Sequence, residues 1–346
     1  MIEKSPRIEE WKKLFKAIIK VKDIAPWKWM YEDDLFAVQN PETDEMGFVS
    51  VMGSIGEHYA ISVYLGERGL YGFWDLQESA SDILCNQMFF EIPQLQAFFE
   101  DRNFLHPKDR ELIKRLGLKF RGRQSWPAFR SYRPGFFPWF LESDEARFLQ
   151  YALEQTADVS LRFKKDSSLL SPGNDEHYFA RIPFKKDDKL FWKDSTLKIS
   201  PPEPHRIEFS IPLSGMHAID ALKRTVPSKV TLEIDLFMSK NPVKEKDIRP
   251  FYPYILLMVE AHSGMVVCVK LLPPLPTLEE MWRTVPAKVA EWLAENQLLP
   301  KKILVNSELM YKLLSYLNEE FDISLKQSES LPNLDDARAS LLESIE

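Results

Sequence analysis

Between Pro107 and Arg133 lie nine basic side chains: Lys108, Arg110, Lys114, Arg115, Lys119, Arg121, Arg123, Arg130 and Arg133. Only Asp109 and Glu111 oppose them, which leaves a local charge of +7. Trp126, Phe129 and Tyr132 are interleaved, and the run FFPWF follows at 136–140. Closely spaced cations can track a phosphate backbone while aromatic faces between them stack bases. The segment therefore predicts a site for nucleic acid or another polyanion at Lys119, Arg121, Arg123, Trp126, Arg130 and Arg133. Two plainer outcomes compete with it. The aromatics can pack inward while the basic groups pair with acidic helices or stay solvated, or the surface can receive a protein partner.

A second group is acidic. KVTLEIDLFM (229–238) alternates, with Val230, Leu232, Ile234 and Leu236 on one strand face and Glu233 and Asp235 on the other. Asp235 could contribute to a divalent-cation site, although the ordinary fate of such a face is solvation. Glu260 and His262 also share a strand face and would join Asp235 if the two strands pair. His262 equally well begins a hairpin turn. Other chemistries are disfavoured: there is no H-E-x-x-H, no deaminase pair of motifs and no G-x-S-x-G elbow. His106 with Asp109 and His217 with Asp220 fit helix caps or surface pairs.

The elements that must position these groups follow from periodicity and capping. Helices are predicted over 8–21, 106–118 and 143–163, the last with Ser143 as N-cap. LFAVQ (35–39) and GFVSVMG (47–53) predict a hairpin, followed by strands at 58–66, 88–92 and 126–133. Residues 47–72 hold six of the twelve glycines, and GERGLYG reads either as an anion-binding nest or as close packing. SPGNDE (171–176) is a linker candidate, and residues 177–213 predict strands bridging two halves. Beyond them come a strand at 229–238 and two buried strands flanking AHSG within 254–272. A helix follows from the box Thr277 to Glu280, with a kink expected at Pro286. A strand at 301–306, a helix at 307–320, a strand at 321–326 and a helix at 333–345 complete the chain.

The order over residues 229–346 is strand, strand, strand, helix, strand, helix, strand, helix. The first three strands should be antiparallel, and the later two enter through helical crossovers. This order resembles the ribonuclease H-like fold, in particular its retroviral-integrase and transposase branch. The resemblance implies a metal-binding Asp on the first strand, a second at the end of the fourth strand and an acidic residue on a later helix, together holding two magnesium ions for phosphodiester chemistry. Asp235 matches the first position. Asn306 stands where the second Asp is called for, and Asp335, Asp336 or Glu343 matches the third. The implied metal set is thus Asp235, Asn306 and Asp336. It is incomplete, because a neutral amide lacks the charge that concentrates a divalent ion. The chain as a whole is also similar to an uncharacterised prokaryotic family that pairs two domains of unknown function, a resemblance that implies no activity.

The 346 residues are 45% hydrophobic and 28% charged, with a formal charge of -7, which fits two folded domains and no general affinity for polyanions. Twelve glycines, with no G-x-G-x-x-G and no G-x-x-x-x-G-K-[ST], disfavour the common nucleotide loops. A charged start, no long apolar run and two isolated cysteines, Cys85 and Cys268, predict a cytoplasmic chain with reduced, buried thiols and no membrane partner. The expectation is an α+β protein. Residues 1–175 form an N-terminal α+β domain, 176–213 an extended bridging segment, and 214–346 a mixed sheet with helices, ribonuclease H-like. The expected function is a non-catalytic binding or interaction module, with a metal-dependent nuclease or nucleic-acid-processing enzyme as the alternative. No cofactor is evident beyond the divalent metal of that alternative.

Overall fold

The computed structural model describes residues 5–78, 89–171, 177–199, 213–246 and 248–344. The chain divides into two units, one of residues 1–134 with 138–203 and one of residues 135–137 with 204–346. Each has its own sheet and helices, giving two α+β units.

In the first unit, seven strands form one sheet: β1 (Phe36–Gln39), β2 (Met46–Met52), β3 (Ala60–Leu65), β4 (Gln94–Glu100), β5 (Trp126–Tyr132), β6 (His177–Lys186) and β7 (Lys189–Lys198). Their order is β5-β4-β3-β2-β1-β6-β7. The expected hairpin pairs Phe36 with Val49 through Gln39 with Met46. Both faces of the central strands β1, β2 and β3 are buried, so these strands are largely apolar on both sides. Val38, Val49, Val51, Ile61, Val63 and Leu95 pack with helices α1 (Ile8–Ile24) and α4 (Ser143–Phe163), and α3 (Pro107–Arg115) adds Ile113 to that core. Ala37, Phe48 and Tyr64 meet Leu70 and Phe73 of α2 (Gly66–Glu78) on the opposite face.

Three local expectations change in this unit, and one pair of alternatives is decided. The strand expected at 88–92 is displaced: Phe89–Glu91 are helical, Met88 lies outside the described residues, and the strand is QLQAFFE at 94–100. Pro93 separates the two patterns and disfavours helix at the residue before it. Residues 177–198 are no bridge, since β6 and β7 form a ten-pair hairpin that joins the first sheet beside β1. Residues 172–176 and 200–212 lie outside the described residues. GERGLYG forms the start of α2, where a Cβ on Gly69 would lie 2.7 Å from the Tyr64 carbonyl carbon and one on Gly72 2.7 Å from the Ile92 side chain, so these two glycines serve close packing. Glu142, one residue earlier than Ser143, caps α4 in a reciprocal box with Glu145, and the Ser143 hydroxyl donates to Glu10 instead.

The second unit has a five-stranded sheet of β8 (Thr231–Met238), β9 (Tyr254–Glu260), β10 (Val266–Leu272), β11 (Lys302–Val305) and β12 (Ser324–Gln327), in the order β10-β9-β8-β11-β12. The β8–β9 and β9–β10 pairs are antiparallel, while β11 runs parallel to β8 and β12 parallel to β11. Helices α5 (Leu213–Leu222), α6 (Leu278–Glu295) and α7 (Glu308–Glu320) share one core with Leu232, Ile234, Leu236, Leu256 and Met258. Thr277 and Ser307 cap α6 and α7 by accepting the backbone N–H groups of Glu280 and Met310. α6 continues through Pro286. The other sheet face, with Phe237, Ile255, Leu257 and Val259, is covered by α8 (Pro332–Ser344). Among the described residues, no helix is long and apolar enough to cross a membrane.

Candidate functional site

The predicted polyanion residues fall into two groups. Arg130, on β5, makes a two-pronged contact with Asp109 of α3, at 2.6 and 3.1 Å, and its guanidinium stacks over the rings of Phe98 and Phe140. Both partners are largely buried, with side chains 15% and 9% exposed. Arg133 pairs with Glu142 and Glu145 at the start of α4. Phe129 belongs to the core and meets Phe15 edge-on at 5.1 Å, and the Tyr132 hydroxyl donates to Gln96. Arg130 and Arg133 are thus paired with acids, and Phe129 is packed inward.

Lys119, Arg121 and Arg123 are exposed, and none has a carboxylate partner among the described residues. Their placement follows from local structure. α3 buries Asp109 and Ile113 and turns Arg110 and Lys114, four residues apart, to one side. It ends at Gly117, whose left-handed φ of 70° no β-branched residue would tolerate. The N–H groups of Gly117 and Leu118 return to the carbonyls of Lys114 and Ile113, a helix-ending motif that folds Lys119 back beside the helix. The loop before β5 is tied down by Gln124, whose N–H donates to Asp101 and whose amide donates to the Glu57 carbonyl, each at 2.6 Å.

The result is a shallow depression of about 700 Å³ lined by Arg102, Arg110, Lys114, Lys119 and Trp126, with Glu111 the acid in the wall. Phe120 meets Trp126 edge-on at 5.8 Å, and the Arg102 guanidinium lies 5.8 Å from its ring centre. Four cations against the single carboxylate of Glu111 concentrate positive potential and attract anions. Arg102 is absent from the predicted set because it sits alone in sequence, after β4, and no local pattern marks it. Arg110 and Lys114 are marked by their i, i+4 spacing on the exposed side of α3.

The acidic strand has a different fate. Glu233 and Asp235 are each 3% exposed, so this face is not solvated. The Glu233 carboxylate accepts the backbone N–H of Leu334, in the first turn of α8, at 2.8 Å. Asp235 lies 3.5 Å from the Arg338 guanidinium. Burial pushes its carboxyl above the usual range, against the opposing pull of the Leu236 N–H and Arg338. Arg338 also lies over the Phe237 ring, at 4.3 Å. Positions 233, 235 and 237 thus each hold the last helix.

The other implied metal ligands do not complete a centre. Asn306 ends β11 with a buried amide oxygen that has no hydrogen-bond partner, and Asp336 lines a separate groove with Gly264, Val266 and Ala337. Among the described residues, no three His, Cys, Asp or Glu side chains are grouped to hold a metal ion. A buried carboxylate already facing an arginine and a neutral amide do not fit two magnesium ions. Glu260 instead secures the β9–β10 turn, accepting from the N–H groups of His262 and Ser263 and the Ser263 hydroxyl, which lower its pKa. His106 caps α3 by accepting the Lys108 N–H. Cys268 is free and buried, and burial raises its thiol pKa, while Cys85 lies outside the described residues.

Two family models match the chain: a domain of unknown function (DUF7309) over residues 11–181, and a second domain of unknown function (DUF6930) over residues 218–342. Neither the comparison with curated proteins nor that with solved structures gave a match. The chain therefore pairs these two domains of unknown function, one on each structural unit.

Proposed function

We propose that this protein is a non-catalytic binding module whose first unit takes an anionic chain at the depression around Trp126. One contrast carries the reading. Within a single stretch of sequence, Arg130 and Arg133 are neutralised by Asp109, Glu142 and Glu145, whereas Arg102, Arg110, Lys114 and Lys119 surround an aromatic ring with no carboxylate partner. The segment from 107 to 133 carries +7 and the rest of the chain -14, so repulsion elsewhere would confine a polyanion to this face.

The test is a salt series with heparin. Each neutralised anionic group releases counterions on binding, so affinity should fall steeply as salt rises. Lys114→Ala combined with Lys119→Ala should weaken binding and flatten that dependence. Affinity indifferent to salt, or unchanged in the double variant, would reject the depression as the site.

The strand order of the second unit supports a ribonuclease H-like reading of its fold. It does not extend to nuclease activity, because the acids on β8 are engaged with α8 and the second ligand position is Asn306.

A further inference from the structure

We infer that the anionic chain is single-stranded nucleic acid, held through its phosphates by Arg102, Arg110, Lys114 and Lys119 and through unpaired bases stacked on Trp126 and Phe104. This rests on the reading of the depression as an anion site and adds the chemical class of ligand. β3 begins, β4 ends and β5 begins at one end of the first sheet, because β4 runs antiparallel to both β3 and β5. The loops 53–59, 101–106 and 119–125 therefore share that end, and Gln124 bonds to the other two. Phe104 stands in the middle loop, two residues from Arg102, and is 78% exposed. Trp126 forms part of the depression itself. Arg121 and Arg123 stand exposed in the third loop.

This end thus presents two aromatic side chains among unpaired cations. A cation cluster alone suits any polyanion, whereas exposed aromatic faces gain most from flat, unstacked rings. In a duplex the bases are already stacked on one another. A sulfated polysaccharide has no aromatic rings. Unpaired bases on a phosphate backbone match both halves of the surface.

The full chain is tested by fluorescence anisotropy with a labelled thymidine strand of about 15 nucleotides, the upper range of such sites. An abasic strand of equal phosphate number, heparin and phosphatidylglycerol vesicles serve as comparisons. The thymidine strand should bind at least about tenfold tighter than the abasic one, since each stacked base contributes at that scale. Phe104→Ala should remove much of that difference while leaving abasic binding unchanged, and the exposure of Phe104 keeps this variant folded. Equal affinity for the two strands, or an unaffected Phe104→Ala, overturns the base-stacking inference and leaves the anion site standing. Failure to bind either strand or heparin overturns both. Preference for vesicles over the thymidine strand, lost in Phe104→Ala, assigns the aromatic tip to lipid and also overturns the inference.

Discussion

Glu233, on a central strand, accepts the backbone N–H of Leu334 in the first turn of the final helix, 101 residues later in sequence. The first N–H groups of a helix have no partner within it, and a carboxylate there also meets the positive end of the helix dipole. An acid whose alternation on the strand reads as a solvated face is therefore a helix cap supplied by another element. Glu233→Ala should cost about 1–3 kcal/mol, since it leaves a buried N–H unsatisfied. Glu233→Gln keeps an acceptor oxygen and should lose clearly less. Urea unfolding of the two variants checks the order.

Asp235 makes stability depend on pH. Its folded-state pKa lies above the ordinary 3.8, so the folded state holds this proton more tightly than the unfolded state does. Its contribution is most favourable below that ordinary value, and stability falls as pH rises from there through the raised folded value. Asp235→Asn should remove this decline. Arg338→Ala should be the more damaging change at neutral pH, because it strips the buried carboxylate of its partner. Denaturant midpoints across acidic to neutral pH test both statements, and a decline unaltered in Asp235→Asn would contradict the first.

Arginines of one segment should behave oppositely. Arg130→Ala leaves Asp109 buried without its partner and should destabilise the fold by about 3 kcal/mol. Arg121→Ala, at an exposed and unpaired position, should change stability by no more than about 0.5 kcal/mol. Thermal unfolding of the two variants separates structural from ligand-facing cations without any ligand.

Gly69 tests the packing account of the glycine-rich segment. A Cβ there would stand 2.7 Å from the Tyr64 carbonyl carbon and 3.0 Å from the Pro93 carbonyl oxygen, both backbone atoms. Gly69→Ala should therefore cost about 1–3 kcal/mol through overpacking, although alanine is the better helix former. Calorimetry showing no loss would mean that α2 can shift away from β3.

Much of the local architecture is written in neighbouring residues. The 36–52 hairpin, the caps at Thr277 and Ser307 and the antiparallel run from β8 to β10 depend on periodicity, turn chemistry and capping, all confined to a few consecutive positions. Where local signals are equivalent, as in the apolar runs on either side of Pro93, the strand fell on the side whose Leu95, Ala97 and Phe99 reach the core. The charge cluster at 107–133 was likewise legible as a cluster.

Tertiary structure decided which members of that cluster are free. Arg130 meets Asp109 across 21 residues, and Arg102 joins Trp126 from another loop, so composition alone could not sort them. The same holds for Glu233 and Asp235, whose alternation placed them on one face but did not say what would cover it. Strand periodicity specifies where a side chain points, whereas its partner depends on chain crossings set by the whole fold. By itself the sequence determined a strongly basic, aromatic-rich segment and an acidic strand. Folding kept half of the first open to solvent and committed the second to holding a helix.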